Sequence, residues 1–408
     1  MLTEKEKIDL ITRISLDINQ VKDLDMLLER ILSNMRKFFN ADAGSMYLKS
    51  NDELRFSFTQ NDTLQKRLKP GKKLIYSTFS LPVDNNSISG YVAKNRKLVN
   101  IPDVYAMRGK PYTFDAEFDE LSDYRCKSML AVPMTNERDE VLGVIQIINA
   151  QDEKGAVVPF SPADERVIAH FATIAALAIE RAQTTRNIIL RMIRLAEMRD
   201  PTETGAHANR VAAFSVEIFE QWARKQDMSI EEINHQRDIL RMAAMLHDVG
   251  KVAISDLILK KPGKLTPEEF EAIESHTYLG ARLFIENPSE LDAMALQVTL
   301  NHHEKWDGTG YPGQVEPFSG KPLPSHTAQD GKALPKAGEE IPLFGRIVAV
   351  ADVYDALSSR RAYKEPWHED RVLATMERGA GTQFDPSLID AFFATLDVLK
   401  SIAARYPE

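Results

Sequence analysis

A chain of 408 residues is longer than one ordinary hydrophobic core organises, so at least two domains are expected. Hydrophobic residues at 43% and charged residues at 27% exclude a disordered chain, and a net charge of −9 argues against nonspecific binding to DNA or to an anionic membrane. A polyanionic substrate would therefore need a local positive site, such as bound metal ions. The single cysteine, Cys126, excludes an internal disulfide and fits a reducing compartment. The opening Met-Leu-Thr-Glu-Lys-Glu-Lys has no signal-peptide core. The longest apolar stretch, Val167 to Ile179, contains His170 and is too short to span a bilayer. These features predict a cytoplasmic chain with no membrane segment.

Residues 1–40 are predicted to be helical, with Leu24, Leu27, Leu28, Ile31 and Leu32 on one stripe. The period then changes to the alternation of half-buried strands at Ser45–Leu48 and Leu54–Phe58, joined by a polar turn. Residues 87–95 are predicted to be a helix. Met129–Met134 and Val141–Ile148 flank a polar loop, which predicts an antiparallel hairpin, with Pro133 at a sheet edge or a bulge. This order of helix, antiparallel strands and closing helix resembles a GAF domain over residues 15–182, preceded by an N-terminal helical segment, 1–14. Asn149 followed by Phe160-Ser-Pro-Ala-Asp164-Glu165 is similar to the Asn-Lys…Phe-x-x-x-Asp-Glu motif of its cyclic-nucleotide-binding members. Ala150 stands where that motif has lysine, so the lysine–aspartate pair cannot form in that way. A small-molecule ligand on this domain and a purely packing or dimerising role both stay open. Phe160 to Glu165 also reads simply as a helix start, with Ser161 as N-cap.

From Ala163 to Asp200 there is neither glycine nor proline. A single helix of that length extends about 55 Å at ~1.5 Å per residue. Val167, Phe171, Ile174, Ala178, Arg181, Thr185, Ile188, Met192 and Leu195 recur at spacings of four and three. That seam predicts a connecting helix, 163–200, through which two chains pair as a homodimer, weakened at Arg181 and Thr185; two amphipathic helices with a bend near Thr184-Thr185 are the other reading.

The remaining residues, 201–408, gather the histidines. Asp200 before Pro201 predicts a helix start, and in that helix Glu203 and His207 stand four apart on one face, as half of a metal site or as a solvated surface pair. The apolar run Ile239–Leu246 is expected to end at Gly250 and to place His247 and Asp248 at a buried helix end, with Lys251 just beyond. Adjacent helical residues point about 100° apart, which suits a site with more than one ion. Thr266-Pro-Glu-Glu269 is a capping box opening a helix expected to carry His276. A helix from Leu291 to Asn301 delivers His302 and His303, and these begin the run His-His-Glu-Lys-Trp-Asp-Gly308-Thr-Gly310-Tyr311-Pro312. Adjacent imidazoles are common ligands of borderline metals, and the glycines permit tight backbone approach. Residues 313–340, rich in Gly, Pro, Ser and Lys, are expected to be a lid or an interaction segment without regular structure. In Ile347-Val-Ala-Val-Ala-Asp352 the carboxylate is too deeply set among apolar residues to stay unpaired.

His247-Asp248, Gly310-Tyr311-Pro312 and Asp352, in that order, resemble the HD-GYP family of metal-dependent phosphodiesterases over about residues 185–405. The resemblance implies a multidomain chain in which an α+β GAF domain is joined by a long helix to an all-α catalytic domain. It implies hydrolysis of cyclic di-GMP, to pGpG or GMP, by a metal-activated hydroxide. The implied metal ligands are Glu203, His207, His247, Asp248, His276, His302, His303 and Asp352, with Asp248 bridging. The glutamate four before His207 resembles the variant holding three ions instead of two, and iron or manganese is the implied metal. Nitrogen and oxygen donors without cysteine agree with that choice. Lys251 would neutralise a phosphate oxygen, and Arg361 would contact substrate. Gly310, Tyr311 and Pro312 would shape the rim of the site and offer a surface to substrate or to a protein partner; a rigid turn with Tyr311 packed is the other reading. A cyclic di-GMP-binding protein with little turnover, and a phosphodiesterase for another cyclic dinucleotide, are the alternatives.

Overall fold

The structure, a computed structural model, describes residues 4–68, 79–197, 204–286, 289–359 and 366–407. They divide into two compact units, Met1–Thr185 and Arg186–Glu408. Among the described residues, no helix is long and apolar enough to cross a membrane.

The first unit is built on an antiparallel sheet. Its strands are β1 (Ala41–Ser50), β2 (Glu53–Asn61), β3 (Ser80–Pro82), β4 (Val99–Ile101), β5 (Met129–Thr135), β6 (Val141–Gln151) and β7 (Val157–Val158). They are ordered β3-β2-β1-β6-β5-β4, with β7 against β6. The helical stripe read in residues 1–40 is broken in two, Glu4–Gln20 and Leu24–Phe38, because Asp23 accepts from the amides of Asp25 and Met26 and starts the second helix. Leu24, Leu27, Leu28, Ile31 and Leu32 are all buried against one face of the sheet, with Met46, Ile145 and Ile147. The other face is covered by the helix Ile88–Asn95, capped by Ser87, together with Tyr47, Tyr112 and Tyr124.

Pro133 is not on an edge strand. β5 lies between β4 and β6, but β4 pairs only with Met129–Ala131, so no partner strand on that side reaches the proline. The hairpin register shifts just beyond it, between Met134 and Thr135. Ser161 and Asp164 cap each other at the start of the helix Pro162–Glu197, while Asn149 holds the amide of Lys127 and donates to Tyr124 and Arg125. The motif-like residues therefore build a helix start and pin a loop.

The seam expected along that helix is only half available. Phe171 and Ala178 are buried in the first unit's own core, and Arg181 donates to the carbonyls of Asn19 and Val21. Two seam positions, Ile188 and Leu195, are exposed at 53 and 61%, and Leu177, outside the seam, is exposed at 44%.

The second unit is helical around one core. The principal helices are Gly205–Ala223, Ile230–Ala244, Glu290–Asn301, Leu343–Ser358, Glu369–Arg378 and Pro386–Arg405. The run Ile347–Ala351 is buried on every side of its helix, which explains its lack of amphipathic pattern. Residues 313–340 are not an unstructured excursion. They fold through bridges between Val315 and Pro322 and between Thr327 and Ala333, and short turns at Pro324–His326 and Gly338–Glu340. Val315 packs with Ala281 and Leu300, and Gly320 lies against the ring of Tyr278.

Candidate metal centre

Five short stretches of chain bring their polar side chains to one place. His207 lies in the first turn of Gly205–Ala223, whose N-cap Thr204 accepts from the His207 amide. His247 and Asp248 follow the end of Ile230–Ala244. His276 opens its own helix, His276–Ala281, separated by Ser275 from the capped helix Pro267–Glu274 that was expected to carry it. His302 caps Glu290–Asn301 and His303 follows it. Asp352 sits within Leu343–Ser358.

The arrangement divides into two groups that share Asp248. One is Asp248, His276, His302 and His303; the other is His207, His247 and Asp248, and in each the donor atoms lie within 4.8 Å of one another. Asp248 Oδ1 faces His276 Nε2 at 3.1 Å and His302 Nε2 at 3.4 Å, while its Oδ2 faces His247 Nε2 at 3.2 Å. Asp352 Oδ1 stands 3.7 Å from His207 Nε2, which puts it on the second side.

The outer nitrogens explain what the inner ones can do. His276 Nδ1 donates to Ile273 O at 2.6 Å, His247 Nδ1 to Ala244 O at 2.9 Å, and His302 Nδ1 to Thr299 O at 3.0 Å. His207 Nδ1 donates to Asp355 at 2.8 Å. A neutral imidazole with its proton on Nδ1 presents a bare lone pair at Nε2. Lone pairs of His247, His276 and His302 thus converge on a carboxylate, and His247 Nε2 and Asp248 Oδ1 are buried without a hydrogen-bond partner. Such a set repels itself unless a cation lies among the donors. The residues fit a divalent metal site.

Protonation agrees. Burial pushes the Asp248 carboxyl up, but Lys251 and His247 outweigh it and hold it well below the usual carboxylate range. Burial keeps His302 and His303 below the usual histidine range, hence neutral and able to ligate. His247 is also lowered by burial, yet Asp248 and Asp352 draw it up on balance. Lys251, expected just beyond the His247-Asp248 pair, is ion-paired with Asp248 Oδ2 at 2.8 Å.

Residues 204–357 match the HD domain family and residues 23–179 match the GAF domain family. The chain joins a GAF domain to an HD domain. A cyclic di-GMP phosphodiesterase of Vibrio cholerae serotype O1 is 39% identical over 232 residues, which cover 55% of this chain and 43% of that protein. The 3'3'-cGAMP-specific phosphodiesterase 2 of the same organism is 31% identical over 232 residues, 57% of this chain and 39% of that one. A cyclic di-GMP phosphodiesterase of Thermotoga maritima is 36% identical over 198 residues, 48% and 46%. The chain spans less than half the length of each of these relatives.

Three supports of the HD-domain site were not read from the sequence. Asp355, buried at 1%, receives His207 Nδ1 and is held by Arg210 Nε at 2.6 Å and Nη2 at 3.0 Å. Burial raises its pKa, but the bonds from His207 and Arg210 prevail and bring it to about 2. The signal was present: Asp352 and Asp355, like His207 and Arg210, are three apart on one helix, hence on one face. Glu304, directly after the paired histidines, is buried and accepts from the Gly313 amide at 2.7 Å. Burial raises its pKa to about 7 even with Lys336 Nζ 3.8 Å away. Lys336 in turn donates to Asn301 at 2.8 Å, so the segment 313–340 is tied to the end of the helix that delivers His302.

Gly250 does not act as a helix-ending glycine with positive φ. Its backbone lies against the next histidine's helix, where an added Cβ would come within 1.9 Å of His276 O and 2.5 Å of the Gly280 amide. Gly250→Ala is therefore expected to push His276 out of place, destabilising the HD domain by about 1–3 kcal/mol or more. Thermal unfolding together with metal content checks it. A normal melting temperature with full metal would show that the two turns can separate at little cost.

Gly308 has φ +81°, as expected of a turn glycine, whereas Gly310 is required by close approach: a Cβ would meet Lys305 N at 2.3 Å. Tyr311 lies beside His303, ring centres 4.9 Å apart, and beside His276 at 6.4 Å. Glu203 and Arg361 lie outside the described residues.

Proposed function

We propose that this chain hydrolyses the phosphodiester bonds of cyclic di-GMP with two or three divalent ions, three being favoured and iron or manganese the metal. The observation that carries the reading is the division of Asp248, one oxygen toward His276 and His302, the other toward His247. A carboxylate so placed would offer one oxygen to an ion on each side. His276, His302 and His303 complete one position, and His207, His247 and Asp352 the other; Glu203 is assigned to a third. Bound there, the ions would activate water at neutral pH and offset charge on the transferring phosphoryl group.

The chain's own residues do the rest. The backbone carbonyls and Asp355 fix the tautomers of His207, His247, His276 and His302, leaving Nε2 of each free to ligate. Lys251, already in the site through Asp248, is placed to meet a non-bridging phosphate oxygen. Arg361 is assigned to substrate, and Gly310, Tyr311 and Pro312 to the rim, where a protein partner could also dock. The names of the relatives support the substrate class and leave 3'3'-cGAMP as a second candidate. The test is elemental analysis of the iron- or manganese-loaded protein with chromatography of its products from each dinucleotide. Release of pGpG or GMP is expected. Tight binding without turnover would favour the signalling-protein alternative.

The GAF domain is assigned a sensory role, with a small-molecule ligand, and the paired chains would pass its signal along Pro162–Glu197. Because the outward positions are Leu177, Ile188 and Leu195, spaced eleven and seven apart, pairing should run through them. Ile188→Glu combined with Leu195→Glu is expected to turn a dimer into a monomer in sedimentation. A wild-type chain that sediments as a monomer at all concentrations would refute the pairing.

A further inference from the structure

Phe270 lies on the capped helix Pro267–Glu274, none of whose residues is buried, and its ring is 48% exposed. The helix is fixed by other means: Thr266 and Glu269 cap it, and Lys261 donates to both oxygens of Glu269. Phe270 is thus not needed as core, and an aromatic ring left half in water carries a hydrophobic cost. What it does touch is Tyr311, with ring centres 6.1 Å apart at 81°. Tyr311 in turn lies 4.9 Å from His303 at 32°. The three rings form a path from the metal-ligand set to solvent. Because the outer pair meets nearly at right angles, it makes a corner and not a closed stack, and Phe270 stays half exposed at its outer end.

We propose that the Phe270–Tyr311 corner is the subsite for a purine base of the nucleotide whose phosphate occupies the metal centre. In a cyclic dinucleotide each phosphodiester has a base one sugar away on either side. A phosphate beside His303 therefore sends one base out along the Tyr311 side. Stacking asks for no charge, so it leaves Lys251 to the phosphate. A π-face also accepts any purine, so this corner supplies affinity for guanine and adenine alike and does not choose between cyclic di-GMP and 3'3'-cGAMP.

The inference rests on the phosphodiesterase reading, and the test separates the two. Calorimetry of the manganese-loaded full chain would compare GMP with ribose 5-phosphate, which carries the same phosphate without a base. Wild type is expected to bind GMP roughly 5- to 100-fold more tightly, the range for stacking one base on an aromatic side chain. Phe270→Leu should erase most of that preference while leaving ribose 5-phosphate affinity and melting temperature unchanged, and Phe270→Trp should keep it. The proposal is overturned if wild type shows no preference for GMP, if Phe270→Leu retains it, or if both ligands weaken equally. Equal weakening would make Phe270 a brace for Tyr311. A chain that prefers GMP through Phe270 yet leaves cyclic dinucleotides intact refutes the phosphodiesterase reading and supports the subsite.

Discussion

Asp248→Ala is expected to lose bound metal and hydrolysis together, by more than about 10³-fold in turnover, while the HD-domain helices stay folded. The size follows from its place. Asp248 is the one residue common to both donor groups, so its removal opens both positions at once. The folded core does not depend on it, because the hydrophobic residues around Val211, Leu240 and Val348 are buried by their own packing. Lys251→Ala should behave differently. It removes a charge 2.8 Å from Asp248 Oδ2 but no ligand, and bound ions would keep that carboxylate ionised in its stead. Metal content should stay near wild type while turnover falls on the order of 10²–10³-fold, as for loss of one group that stabilises transition-state charge. Elemental analysis and product chromatography on both variants check the contrast. Full metal in Asp248→Ala would move the site elsewhere, and metal loss in Lys251→Ala equal to that in Asp248→Ala would make Lys251 a structural member of the centre.

Asp355→Asn is expected to act through His207 and through stability at once. The carboxylate accepts from His207 Nδ1 and from two Arg210 nitrogens, all buried. An amide cannot accept from all three. If its NH₂ faces His207, the imidazole must carry its proton on Nε2, and the nitrogen facing Asp352 is no longer a ligand. Metal affinity on the second side should fall by roughly 10- to 100-fold, as for loss of an outer hydrogen bond to a ligating histidine. Arg210 meanwhile keeps a buried charge without its counter-charge, which costs about 3–5 kcal/mol. For a domain of this size that is a melting temperature lower by at least ~6 °C. Metal titration should show the loss confined to one position, since His276, His302 and His303 do not touch Asp355. Unchanged titration and melting would mean that His207 is oriented by something else.

Much of the candidate site was legible because metal chemistry is written in residue type and order. His207, His247, Asp248, His276, His302, His303 and Asp352 were named from the sequence, and the fold gathers their side chains. The outer layer was less legible. Asp355 looks like an ordinary helix acid, and only its burial beside Arg210 gives it a role. Lys336 looks like a loop lysine, yet it is 8% exposed and bonded to Asn301. Periodicity named the inner face of Leu24–Phe38 because a helix packing on a sheet buries one stripe. Along the long helix it could not tell which apolar positions serve which surface, because burying Phe171 and Ala178 in a partner chain or in the chain's own core leaves the same pattern in sequence.

By itself, then, the sequence determined the sheet-and-helix order of the first unit, the helical nature of the second, and the identity of the metal-seeking side chains. The element order follows from local spacing, which needs no distant partner, and the candidate ligands from the resemblance their motifs carry. Only the tertiary structure decided how the donors divide. Which oxygen of Asp248 meets which imidazole depends on five segments arriving from as far apart as positions 207 and 352. It also decided why Gly250 must be glycine. No turn preference at that position reveals that the carbonyl of His276 lies where a side chain would begin.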